Sequence, residues 1–306
     1  MYKKLTAILL ILAAMLIFAA CAGEATPAND TRPTYDREGT AITLPAEISR
    51  VVTLGPSNAE IIIALGLADT IVAVDMFSAD VAGLPAGVVK PFGIMDPDPE
   101  YIISLMPDVI FVGGVPRGAD SPFVALENAG ITMIHVPSAE SIAEIMEDIR
   151  FVAAVMSAEA AGETIIANMQ AEIDEIAHIA AGITATRTVY FEVSPAPWTF
   201  SLGTGTFINE MIELIGAVNI FADQAGWVPV ADEMIVARNP DVILTTTDFL
   251  PDPIEEIVGR PGFDAITAVQ NGDVFYIDTA SSNRPTHNIT RALREMAAAI
   301  YPEYFR

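Results

Sequence analysis

The chain has 306 residues, 52% of them hydrophobic, and a formal net charge of −25 at pH 7. That length supports one large or two medium domains with a sizeable core. So acidic a surface repels nucleic acid and anionic lipid, and it suits partners presenting arginine or lysine, or a saline or alkaline medium. Cys21 is the single cysteine, which excludes an internal disulfide.

At the N-terminus, Lys3 and Lys4 precede a run from Leu5 to Ala20 that is apolar except at Thr6. This has the length of a signal-peptide core and is short for a membrane span. The run ends in Phe18-Ala19-Ala20-Cys21. Small residues before a lone cysteine resemble the lipobox of bacterial lipoproteins, with Phe18 where leucine is usual. The resemblance implies cleavage before Cys21, a lipid on its thiol and an extracytoplasmic location. Removal of residues 1–20 leaves 286 residues and takes away Lys3 and Lys4, so that Lys90 is the last lysine and the charge becomes −27. Residues 21–35 are small, polar and proline-bearing, and read as a flexible tether spanning about 20 Å.

From there, short β-branched runs alternate with helical patterns. Strands are expected at 51–54, 71–74, 109–112, 131–136, 188–193, 242–246 and 274–277. Each run is nearly continuously apolar, as in parallel strands covered on both faces. Ser57 to Glu60 and Ser141 to Glu144 have capping-box spacing, and Asp98-Pro99 reads as an N-cap with proline at the first helical position. The alternation predicts α/β architecture with parallel sheets.

The sequence also repeats. Glu100-Tyr101-Ile102 followed by Pro107-Asp108-Val109-Ile110 recurs, 133 residues on, as Glu233-Met234-Ile235 and Pro240-Asp241-Val242-Ile243. A weaker echo pairs Glu60…Gly66 with Glu210…Gly216. Between the copies, Ile166, Met169, Ile173, Ile176 and Ala180 form one apolar stripe of a long helix. The expected organisation is an N-terminal α/β lobe at 36–157, an interlobe helix at 158–182 and a C-terminal α/β lobe at 183–306.

Segments 50–66, 205–221 and 284–305, together with the two Glu…Pro-Asp blocks, resemble the cobalamin and iron-siderophore class of ABC-transporter solute-binding lipoproteins. The resemblance covers residues 45 to 305. It implies two Rossmann-like lobes joined by one long helix, with ligand held in the cleft between them. It also implies a monomer that captures an iron complex or corrinoid and delivers it to ABC permease subunits and their ATPase. A haem receptor, a ligand sensor and an enzyme on the same two-lobed fold stand as alternatives.

Ligands of open α/β sheets bind beyond the carboxyl ends of strands. The loops there hold Pro56-Ser57, Met76-Phe77, Phe92-Gly93 and Gly113 to Arg117 in the first half, and Pro195 to Trp198, Trp227 and Asn283 to Pro285 in the second. By resemblance, Phe77, Phe92, Trp198 and Trp227 match cleft aromatics of the family; rigid aromatic area suits a large flat ligand. Arg117 and Arg284 are candidates to neutralise an anionic ligand. Glu100 and Glu233, equivalent in the repeat, match the glutamates that dock on the two permease subunits; they also lie where a carboxylate stabilises a helix N-terminus. His135 and His178 read as structural, and His287 follows a cleft loop. No His/Asp/Glu spacing marks a metal site, no motif calls for a cofactor, and neither a nucleophile elbow nor a Walker lysine is present. Gly203 to Thr206 reads as a tight turn rather than a phosphate cradle.

Overall fold

The computed structural model describes residues 31–88, 93–94, 96–115, 117–118 and 121–305. The chain divides into two units, residues 1–32 and Pro33–Arg306, and all the secondary structure described lies in the second. Cys21 and Phe92 lie outside the described residues.

The first sheet is built from β1 (Val51–Leu54), β2 (Ile71–Val74), β3 (Val109–Gly113) and β4 (Thr132–Val136), all parallel, in the order β2-β1-β3-β4. The second sheet uses β5 (Thr188–Glu192), β7 (Val218–Asn219), β9 (Val242–Thr245) and β10 (Val274–Tyr276), again parallel, in the order β10-β9-β5-β7. Numbered within its own lobe, each sheet has the strand order 2-1-3-4, so the sequence repeat is a repeat of topology. A two-stranded antiparallel ribbon, β6 (Phe200–Leu202) with β8 (Trp227–Pro229), is added to the second lobe.

Alternate strand residues feed different cores, which is why the strands read as nearly continuous apolar runs. In β1 and β3, Val51, Val109 and Phe111 face one core while Val52, Leu54, Ile110 and Val112 face another. In β5 and β9, Val189, Phe191, Val242 and Leu244 join the first of these cores, while Tyr190 and Ile243 face a third. One apolar core is therefore shared by both lobes, and each lobe has a second core of its own.

The shared core includes α5 (Glu159–Ala180), whose stripe of Ile166, Met169, Ile173 and Ile176 is buried. Its 22 residues span about 33 Å. It packs on α4 (Ile142–Val155) of the first lobe and on α6 (Phe207–Leu214) and α11 (Ile289–Ile300) of the second. The approach to α4 is close: a Cβ at Gly162 would stand 2.6 Å from the Cβ of Ala153.

Two of the three predicted caps form. Asp98 accepts from the Tyr101 amide at the start of α2 (Pro99–Ser104), and Ser141 accepts from the Glu144 amide at the start of α4. The third cap, expected at Ser57, does not form. Helix α1 (Pro56–Ala64) begins at Pro56, so Glu60 sits mid-helix rather than closing a capping box with Ser57. The Pro-Asp repeat has a clear use. Asp108 accepts from the Ser49 and Arg50 amides, and Asp241 accepts from the Thr188 amide and hydroxyl. Each aspartate thus pins the amino end of its lobe's central strand. The Ser49 and Arg50 donors hold the Asp108 carboxyl below the usual range.

Candidate functional site

The carboxyl ends of the first sheet are drawn together by backbone. Gly55, at φ +114, turns the chain out of β1, and a Cβ there would stand 3.2 Å from the Cα of Gly113 at the end of β3. Asp75, fully buried beyond β2, accepts from the Gly55 amide (2.6 Å), the Phe77 amide (2.7 Å) and the Ser78 hydroxyl (2.6 Å). This single carboxylate ties two loops of the cleft floor together.

Over that floor lies a cavity of about 190 Å³, lined by Gly55 to Asn58, Gly113, Gly114, Val136 to Ser138 and Asp148 from the first lobe, and by Asn283, Arg284 and Pro285 from the second. It lies between the lobes at the ends of β1, β3 and β4, where parallel sheets place ligands. Asn283 is held there by the carboxyl edge of the second sheet, through its amide donating to the Thr246 hydroxyl at 3.0 Å.

Arg284 is the cationic side chain in the wall of this cavity. It donates to Glu60 of α1 at 2.8 Å and through Nη2 to both oxygens of Asp80 at 2.9 and 3.0 Å. These pairs raise its pKa although burial opposes the charge. Asp148, at the other side of the cavity, is buried and accepts from Arg37 Nε at 2.6 Å. Desolvation pushes its carboxyl up to about 6, against the pull of Arg37.

A pH dependence follows. The folded-state pKa of about 6 lies above the ordinary 3.8, so the folded chain binds more protons between those values. The stability this contributes is fully present below about 3.8 and is lost as pH rises through about 6. Comparing denaturant unfolding of wild type and Asp148→Asn at pH 4.5 and 7.5, the wild type should gain about 1–3 kcal/mol more than the variant on acidification. An identical gain in both would show that Asp148 does not carry the linkage.

Large apolar side chains also stand exposed, outside the lining of that cavity. Phe77 is 59% exposed, Trp198 77%, Trp227 56% and Phe249 70%, with Met76 beside Phe77. Phe77 follows β2, Trp198 precedes β6, Trp227 opens β8 and Phe249 follows β9. Trp227 pairs with Leu202 in the ribbon, whereas Trp198 lies in the turn that leads into β6. Sequence reading missed Phe249 because it lies beyond the polar Thr246-Thr247-Asp248 stretch that leaves β9.

Arg117 is used elsewhere. Its guanidinium pairs with Asp36 at 2.8 Å and with Glu127, and donates to the Met133 carbonyl. It fastens the 36–40 segment to the outer edge strand β4 and does not line the cleft cavity. His135 is buried against that cluster, His178 is exposed on α5, and His287 lines a side pocket beside Glu60. Burial lowers the pKa of His135 and of His287. At Gly203 a Cβ would stand 2.2 Å from the Gln224 carbonyl, and the Gly203 and Thr204 amides donate to Gly226 and Gln224. Those two amides are spent on chain pairing, as a tight turn requires.

Glu100 and Glu233 are exposed, in the first turns of α2 and of α7 (Asp232–Arg238), and neither forms a hydrogen bond or ion pair among the described residues. No group of three or more His, Cys, Asp or Glu among the described residues could hold a metal, and no described helix is long and apolar enough to cross a membrane.

Residues 51–280 match the periplasmic binding protein family. An uncharacterized ABC transporter substrate-binding lipoprotein of Bacillus subtilis (strain 168) is 33% identical over 274 residues, 89% of this chain and 86% of that protein. A cobalamin-binding protein of Halobacterium salinarum is 28% identical over 274 residues, 87% of this chain and 73% of that one. The crystal structure of a possible iron-binding (periplasmic solute-binding) protein from Staphylococcus epidermidis, 29% identical, superposes with a TM-score of 0.72 over 83% of this chain and 99% of that chain. With two parallel lobes, a cleft at their carboxyl edges and these relatives, the chain belongs to the periplasmic binding protein family and is a substrate-binding protein of ABC transport, not an enzyme.

Proposed function

We propose that the protein captures a large, flat, partly apolar ligand, a corrinoid or a ferric siderophore, and hands it to an ABC permease through Glu100 and Glu233. The observation that carries the ligand class is the set of exposed aromatics, Phe77 from the first lobe and Trp198, Trp227 and Phe249 from the second. Rigid aromatic rings bind a planar ligand with little loss of side-chain entropy. Arg284 at the cavity wall suits an anionic arm of such a ligand. A cobalamin-binding relative and a structural neighbour described as possible iron-binding support the same two classes.

Tryptophan fluorescence tests this, because the chain has two tryptophans and both are among these exposed rings. Titration with cyanocobalamin and with ferric hydroxamates should quench emission for one class. Trp198→Phe and Trp227→Phe should each remove part of the quenching, and Trp198→Ala should weaken affinity about tenfold. No quenching by either class, or unchanged affinity in the alanine variant, would remove the aromatic cleft as the capture surface.

The N-terminal run ending in Cys21 supports a lipid anchor on the outer face of the cytoplasmic membrane. Cys21→Ala should move the protein from the membrane fraction to the soluble one; unchanged fractionation would overturn the anchor.

A further inference from the structure

Glu60 and Glu210 hold the same place in the two lobes. Glu60 lies on α1, after the central strand β1; Glu210 lies on α6, the first helix after the central strand β5. Both helices stop at glycines with matching left-handed geometry, Gly66 at φ +81 and Gly216 at φ +82, six residues after the glutamate. The echo in the sequence is thus an echo in structure. Its purpose does not lie within either lobe, because each carboxylate bonds into the other lobe.

Glu60 is 8% exposed and takes three donors from the second lobe: Arg284 Nη1 at 2.8 Å, the Thr286 hydroxyl at 2.9 Å and Asn288 Nδ2 at 2.9 Å. Glu210 reaches the first lobe, where its Oε2 accepts from the Ile142 amide at 2.8 Å. That amide is one of the N–H groups that the start of α4 leaves without an intrahelical partner, and an anion there is further favoured by the helix dipole.

We propose that Glu60 and Glu210 form a reciprocal clasp that positions the two lobes at the spacing that shapes the cleft. A buried carboxylate is tolerated only while it is paired and hydrogen-bonded. For Glu60 all three donors belong to the opposite lobe, so separating the lobes strands the charge. The two ends differ in strength. Glu60 has a guanidinium and two neutral donors; half-buried Glu210 has one amide. The Glu60 corner is therefore the fixed joint and the Glu210 corner the one that yields. Glu60 is also a positioning residue for the cavity wall, because it holds Arg284, whose other nitrogen reaches Asp80 on the loop that carries Phe77.

Hydrogen exchange on the full-length protein in detergent, without ligand, tests this independently of what the ligand is. Glu210→Gln should speed exchange of the Ile142 amide about tenfold or more, in the lobe that was not altered. Glu60→Gln should do the same for amides at 284–292, again across the lobe boundary. Arg284→Gln, changed from the second lobe, should loosen α1 in the first and serves if the Glu60 variant does not fold. Faster exchange confined to the mutated helix, or none beyond wild type, would overturn the clasp and leave the glutamates as local supports.

Discussion

Arg260→Ala will lower the unfolding free energy by about 3–5 kcal/mol, one of the largest losses available to a single substitution outside the apolar core. Arg260 meets Glu192 in a bidentate pair, at 2.6 Å (Nη1 to Oε2) and 3.1 Å (Nη2 to Oε1), and Glu256 of α8 (Pro253–Val258) through Nη2 at 2.6 Å and Nε at 3.0 Å. Both members of the Arg260–Glu192 pair are buried, and the guanidinium lies over the Phe263 ring. Desolvation raises the Glu192 pKa even with Arg260 in place.

Without the arginine, Glu192 is a carboxylate in an apolar interior with the Tyr190 hydroxyl as its nearest strong donor, at 3.2 Å. The variant should therefore recover stability as pH falls, because protonating Glu192 removes the stranded charge. The sign is that of an acid whose folded pKa is raised: stability is present at low pH and lost as pH rises through the folded value. Urea unfolding at pH 5 and 8 measures both effects. A loss under about 1 kcal/mol at pH 8 would mean that the pair contributes little. Replacing both partners together by apolar residues should cost much less than Arg260→Ala, since no charge is then left unpaired. Glu192 ends β5, its carbonyl accepts from the Thr246 amide, and Arg260 approaches Asp232 beside Glu233.

The seven strands expected from sequence all form, each end within a residue of the expected place, because burial on both faces leaves a run that is mostly apolar, with polar residues such as Thr53 and His135 too few to mask it. The β6–β8 ribbon was invisible for the opposite reason. Its strands are three residues long, contain Ser201 and Pro229, and are flanked by glycines, so no period-2 pattern emerges. The repeat exposed Asp108 and Asp241 as equivalents, yet their work, pinning the neighbouring strand, depends on a partner more than fifty residues away. Arg284 and Arg117 looked alike in sequence, as arginines in loops after strands. What separates them is three-dimensional: Asp36 and Glu127 draw Arg117 to the sheet edge, whereas Glu60, 224 residues from Arg284 in sequence, draws that side chain to the cleft. No local pattern encodes such pairings.

Glu100→Ala combined with Glu233→Ala should abolish most ligand uptake while leaving equilibrium binding near wild type. In each lobe the helix that carries the glutamate runs into a Pro-Asp turn whose aspartate is bonded to the amino end of the central strand, at Ser49 and Arg50 or at Thr188. The far end of each helix therefore points toward the carboxyl edge of its sheet, the edge that bears the cleft. Glu100 and Glu233 sit at that end, exposed and with no side-chain partner among the described residues, which leaves their charges available to an arginine of another chain. Charge-assisted pairs formed there would be desolvated by a permease closing over the cleft, and removing one such pair should cost about tenfold or more in productive docking. The two lobes present one glutamate each, so single variants should retain partial uptake and the double variant should fall below either. Radiolabelled uptake in cells beside equilibrium binding on purified protein distinguishes the outcomes. Parallel loss of binding and uptake would make the residues ligand contacts. Normal uptake in the double variant would reduce them to stabilising the starts of α2 and α7, a role that thermal melting of the same variants would then have to show.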